Sequence, residues 1–349
     1  MKRSRPHRRP GAPLLLLIAL TGSGCFSACP SSEDSEARER IWGPEEPAPE
    51  VVAATEKLDI ANLSTATEVR RRVLWMPAAE MAHRLGSFSA NNTVNMDWRR
   101  GDERVTLQES IILQQAKNGD FRVLSENDAG LGMELRWVSG VVYVQNRLGK
   151  FFERRADRAG HLAWRETAME QLATVLTLAR GKIALAELGA TTYEGRSAHR
   201  FALTSAEEVV AGAEPPARPD WAHDPVYAEG GPEDSLKNRL AVKERGEVES
   251  VSGDLVVDAQ TGVPLRFSLT TKLSVAPPEG AGGEPAHLEL KISRRLSGIG
   301  ASQLVERPEH EPFSGRPRAI MDPLDWWPDA VAAKKKAEAE AAAQEKEGE

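Results

Sequence analysis

Between Leu265 and Leu273 the chain alternates: Leu265, Phe267, Leu269, Thr271 and Leu273 are interleaved with Arg266, Ser268, Thr270 and Lys272. A two-residue period puts one set of side chains on one side of a strand and the other set on the opposite side, which no helix can do. The same pattern recurs. Val105, Leu107, Ile111 and Leu113 share a parity that only Glu109 interrupts, and Leu131, Met133, Leu135 and Trp137 alternate with Gly132, Glu134 and Arg136. Turn residues separate these runs: Asn118-Gly119 before Phe121-Arg122-Val123, Ser139-Gly140 before Val141-Val142-Tyr143-Val144, and Glu194-Gly195-Arg196 between Tyr193 and Phe201/Leu203. Gly253 to Asp258 and the turn 259–262 precede the clearest strand, and Leu288, Leu290 and Ile292 follow it. About eight to eleven strands joined by short turns predict an antiparallel sheet.

Helical signals are fewer. Met81, Ala82 and Leu85 share a face between Pro77 and Gly86. A longer helix is expected from about Leu162 to Arg180, where Ala168, Met169, Leu172, Val175, Leu176 and Ala179 recur at intervals of three and four before Gly181. Its single apolar stripe needs a partner, and the sheet's apolar face supplies one. A short helix is expected near Ser235 to Arg245. Together these make an α+β domain.

The N-terminus follows another logic. Lys2, Arg3, Arg5, Arg8 and Arg9 precede the apolar run Leu14 to Leu20, then Thr21-Gly22-Ser23-Gly24 and Cys25. A basic head, a short apolar stretch and small residues form a secretory signal over residues 1–24. The run covers only about 10 Å of a hydrocarbon core about 30 Å thick, so it cannot span as a helix. The small residues before Cys25 resemble the lipobox of bacterial lipoproteins, with Gly22 where that family prefers leucine. The resemblance implies acylation of Cys25 and membrane anchoring, since two or more buried chains hold stably where one does not. Cys29 is a second candidate. The alternative is an ordinary cleaved signal with Cys25 and Cys29 disulfide-bonded. Neither reading calls for a disulfide framework, because the chain has no other cysteine.

Loss of residues 1–24 removes five of the 45 basic groups and no acid, leaving 40 against 52, a formal charge of −12. Such a chain is a poor electrostatic partner for nucleic acid. Residues 25–60 read as a tether, acidic and then proline-rich, with too little apolar surface to offset chain entropy. The folded region is expected over 61–305, with a polar, proline-bearing loop inserted at 206–232. Residues 306–349 form an extension ending in an Ala/Lys/Glu-rich tail. Within it, Trp326-Trp327 reads as a cover for the core's edge or as a partner or membrane contact.

No nucleophile elbow, phosphate loop, dinucleotide fingerprint or paired-histidine spacing occurs, so no enzyme activity, cofactor or metal is expected. Asp254 and Asp258 beside Gly253 read as turn acids rather than cation ligands. The order of elements over about residues 65–300 resembles the Lol-type lipoprotein carriers and related lipid-binding lipoproteins of the bacterial envelope. Gly119 to Val123, Gly140 to Val144 and above all Asp258 to Phe267 carry the likeness; the loop at 206–232 departs from it. The resemblance implies a strongly curved antiparallel sheet, an unclosed half-barrel covered by a few helices over an apolar cavity. Candidate cavity residues are Val105, Leu107, Ile111, Leu113, Leu131, Met133, Leu135, Trp137, Leu265, Phe267 and Leu269. The expected protein is an envelope lipoprotein, outer-membrane-bound and facing the periplasm, that binds or carries a lipid, lipoprotein or other acyl-bearing ligand. The alternative is a structural or interaction lipoprotein with a packed core and an envelope protein partner.

Overall fold

The alternating segments form strands, and the turns between them set the order of the sheet. The computed structural model describes residues 57–146, 149–154, 160–215, 241–277, 283–301 and 303–312. Its strands are β1 (Phe88–Arg100), β2 (Glu103–Gln115), β3 (Phe121–Asn127), β4 (Gly132–Val138), β5 (Val141–Asn146), β6 (Phe151–Arg154), β7 (Ile183–Tyr193), β8 (Arg196–Ser205), β9 (Gly246–Asp258), β10 (Pro264–Val275), β11 (Ala286–Ser297) and β12 (His310–Pro312). The helices are α1 (Thr67–Leu74), α2 (Ala78–Leu85), α3 (Gly160–Thr167) and α4 (Gln171–Leu178). Residues 241–245 are also helical.

At two of the expected turns both central residues have positive φ: Ser139 and Gly140 (50° and 86°), Glu194 and Gly195 (48° and 80°). That pair of conformations matches the twist of the strands a two-residue hairpin joins. The result is one 12-stranded sheet in the order β12-β6-β5-β4-β3-β2-β1-β11-β10-β9-β8-β7. β1 to β6 form one meander and β7 to β11 another, joined where Ala90 lies opposite Leu296. The end strands do not pair, so the sheet is not closed into a barrel. The expected α+β class, with a few helices on an unclosed sheet, is what the chain adopts.

One side of the sheet is the core. On β1, Ala90, Asn92, Val94, Met96 and Trp98 are buried in alternation, and β11 repeats this with Leu288, Leu290, Ile292, Arg294 and Leu296. Side chains of all four helices, among them Val73, Met81, Trp164 and Val175, join the same apolar cluster. The opposite side carries cross-strand ion pairs, such as Asp97 with Arg104 (2.8 Å) and Glu134 with Arg122 (2.6 Å).

Several boundaries differ from expectation. The single helix over 162–180 is two, because the chain turns at Ala168-Met169-Glu170 to offer backbone carbonyls to buried side chains (below). The sheet has more strands than expected, and β12 pairs with β6 in parallel while the remaining neighbours are antiparallel. Three residues including Pro312 give no periodic signal, so the extension expected from 306 hid an edge strand, and Val305 before it is buried. The tether ends earlier than residue 60, since Leu58 and Ile60 are buried against the core. The start of the loop expected at 206–232 is docked: Ala213 is fully buried, Arg70 donates to the Ala211 carbonyl, and Glu214 pairs with Arg71 at 3.1 Å. Residues 1–56 with Cys25 and Cys29, the rest of that loop and Trp326-Trp327 lie outside the described residues.

Candidate functional site

The strand register decides which candidate residues meet. Leu107, Ile111 and Leu113 on β2, Met133 and Leu135 on β4, and Leu265, Phe267 and Leu269 on β10 are all buried in one cluster with the helices. Val105 and Trp137 are half-buried at its margin. Leu131 is the exception. It precedes β4 and belongs to the β3–β4 turn, its carbonyl accepting the Asn127 backbone N–H at 2.9 Å and its own N–H donating to Asn127 Oδ1 at 3.0 Å. Its parity is right, but the turn holds it outside the core cluster.

Gly253 shows how tightly this side is built. A Cβ there would collide with the Ser268 carbonyl oxygen and the Leu269 side chain, so only glycine lets β9 lie so close to β10.

Polar side chains interrupt the apolar interior along one cross-strand row. Phe267 lies opposite Arg294, Arg294 opposite Asn92, and Asn92 opposite Ile111. Arg294 is 2% exposed. Its Nε donates to Asn92 Oδ1 (2.8 Å), and its Nη2 donates to Gln171 Oε1 (3.0 Å) and to the Met169 carbonyl. Asn92 Nδ2 donates to the carbonyls of Ile111 (3.2 Å) and Ala168 (3.1 Å), and Gln171 Nε2 donates to Ala168 O (3.1 Å). The guanidinium also lies 5.0 Å from the centre of the Phe267 ring. Among the described residues no carboxylate pairs with it, and burial pushes its pKa down to about 9. This network ties the α3–α4 turn to the middle of the sheet and explains why the helix is interrupted there. Buried polar groups need partners, and an unbroken helix would have used those carbonyls itself.

Glu109 lies on the same side of β2, 3% exposed. Ser125 donates its hydroxyl to Oε1, whereas Oε2 is buried with no hydrogen-bond partner. Burial pushes this carboxyl up to about 8, opposed only by the Ser125 bond. At the margin, His161 stacks on Trp137 with ring centres 4.0 Å apart. Burial and the neighbouring Arg165 push the imidazole down to about 4.

Asp258, in the segment that carried the family likeness, is fully buried and holds its turn. Its Oδ1 accepts the N–H groups of Gln260 (2.8 Å) and Thr261 (3.0 Å), and its Oδ2 accepts from Arg196. Asp254 accepts from Arg266 at 2.6 Å. Among the described residues, no group of three or more His, Cys, Asp or Glu side chains could hold a metal ion, and no helix is long and apolar enough to cross a membrane. Arg294 and Asn92 were not among the expected site residues. Extending the parity of Leu288, Leu290 and Ile292 by one step would have placed Arg294 inside.

No protein-family model matches the sequence, and no curated protein does. Solved structures similar to the chain include LprF from Mycobacterium bovis, at 12% identity and TM-score 0.29, covering 70% of this chain and 99% of that one. The lipoprotein LppX from Mycobacterium tuberculosis is similar at 9% identity and TM-score 0.28, covering 69% of this chain and 96% of that one. A LolA superfamily protein from Nitrosomonas europaea is similar at 10% identity and TM-score 0.18, covering 66% of this chain and 96% of that one. The likeness drawn from the sequence is to the same group.

Proposed function

We propose that this chain is a lipoprotein of the bacterial envelope, anchored by acylation of Cys25, whose domain binds or carries a lipid or other acyl-bearing ligand between the sheet and its helices. It is not an enzyme in this reading. Phe26 after Cys25, rather than an acid, fits placement on the outer membrane facing the periplasm.

The observation that carries the reading is an unclosed sheet whose apolar side is covered by helices of eight residues each. Helices below roughly 12–15 residues are marginal on their own. Such a cover persists through what it touches, here apolar contacts and the bonds from Arg294 and Asn92 to the α3–α4 turn. A cover of this kind can be displaced by a ligand that replaces those contacts.

A second reading, a structural or protein-interaction lipoprotein, is favoured by the complete burial of Leu113, Leu265 and Phe267. A core packed to a density of about 0.75 leaves no room for an acyl chain. Two measurements separate the readings. Native mass spectrometry of detergent-extracted protein should show a co-purified lipid, and the domain should take up a fluorescent acyl probe. Leu269→Trp should reduce that uptake with little loss of stability if the wall faces a ligand. In a filled core it should cost about 1–3 kcal/mol by overpacking. Destabilisation together with no probe binding by the parent protein retires the carrier reading.

A further inference from the structure

We propose that Glu109 is the polar contact this domain offers to the ester carbonyl of an acyl ligand, the inference resting on the carrier reading above. Glu109 occupies the place of an apolar residue in the β2 alternation, between Leu107 and Ile111, both buried. Its cross-strand neighbours are Val94 on β1 and Asn127 on β3. A carboxyl group in such a place needs a partner for each oxygen, and only Oε1 has one, the Ser125 hydroxyl.

Among the described residues, the following charged groups on neighbouring elements have partners of their own. Arg294 is separated from β2 by β1 and directs its hydrogen bonds to Asn92, Gln171 and Met169. On α3, His161 stacks on Trp137 and stays neutral above about pH 4, Arg165 pairs with Glu166 (3.2 Å), and Glu166 accepts from the first N–H groups of α2. Glu80 on α2 pairs with Arg84 (2.6 Å) and Arg72 (3.9 Å), and Arg71 on α1 pairs with Glu214. α4 carries no charged residue.

Among the described residues no cation offsets its burial, so the carboxyl favours its neutral form, and burial pushes its pKa up to about 8. Ser125 donates to Oε1, so the proton belongs on Oε2, which becomes a buried donor without an acceptor. A neutral carboxylic acid kept as a donor in an apolar site is an established device. An ester carbonyl is the acceptor that an otherwise apolar chain carries. An ammonium group would instead force a buried ion pair, whose desolvation offsets its attraction.

The test compares a pyrene-labelled diacylglycerol with its dialkyl-ether counterpart, which lacks the carbonyls, on the mature protein at pH 6. The parent should bind the ester about tenfold tighter, the worth of one hydrogen bond to an otherwise unsatisfied buried group. Glu109→Gln keeps a donor and should keep most of that preference. Glu109→Leu should bind both probes alike. The sign with pH follows from the raised pKa: the donor is present below about pH 8 and is lost as the carboxyl ionises above it. The parent's ester preference should therefore fall between pH 7 and 9, while that of Glu109→Gln stays flat.

Equal binding of ester and ether by the parent overturns the inference but leaves the carrier reading intact. So does an ester preference that survives in Glu109→Leu. Binding of neither probe by the parent overturns both.

Discussion

Arg294 is a buried cation with no counter-ion among the described residues, and its cost is offset by three acceptors that would otherwise be unsatisfied. Asn92 Oδ1, Gln171 Oε1 and the Met169 carbonyl all take its hydrogens. Arg294→Met removes the charge but strands those acceptors, each worth about 1–3 kcal/mol when buried unpaired. The losses outweigh the relief of desolvation, so the variant should be less stable by about 2–4 kcal/mol in urea unfolding. Arg294→Lys should not rescue it, since a lysine ammonium lacks the planar fork that reaches Asn92 and Gln171 together. A Met variant as stable as the parent would show that the network does not hold the helices to the sheet. The register across β1 and β11 explains why a residue far along the chain does this: Arg294 lies directly opposite Asn92.

At the scale of elements, α2 is completed from a distance. Its N-cap residue is Pro77, which makes no side-chain cap. The carboxylate of Glu166, on α3, accepts the N–H groups of Ala78 (2.6 Å) and Ala79 (3.0 Å) instead. A capping carboxylate also meets the positive end of the helix dipole. Glu166→Ala should cost about 1 kcal/mol, the usual loss for a cap, and should raise amide exchange first at residues 78–85. Unchanged exchange there would mean that packing of Met81 and Leu85 alone holds α2. The helix expected over 162–180 had the right apolar stripe. Periodicity could not show its interruption, because Ala168 and Met169 fit a helix as well as a turn, and only the partners of their carbonyls distinguish the two.

The molecule as a whole is two meanders joined by β1 and β11, with helices on one side and charges on the other. Its proposed tie to the membrane depends on one atom outside the described residues, the sulfur of Cys25. Cys25→Ser should leave the protein unprocessed or soluble, because the apolar run before it is too short to span. Fractionation after a high-salt wash reads this directly. A variant that still sediments with membranes would show that acylation at Cys25 is not the anchor.

The strands, their turns and the class of fold were legible in the sequence because alternation and turn chemistry are local. Leu265 to Leu273, Ser139-Gly140 and Glu194-Gly195 declare themselves within a few residues. β1 did not, since Asn91-Asn92 and Asn95 resemble a turn. It became a strand because β2 and β11 flank it and satisfy its backbone. Glu109 was visible as a break in a pattern, but its burial beside Ser125 depended on β3. The pairing of β1 with β11, the buried Asn92–Arg294–Gln171 network, the split helix and the parallel edge strand were decided only in the tertiary structure. Each depends on groups distant in sequence meeting where buried polar atoms must find partners, and no local period records that requirement.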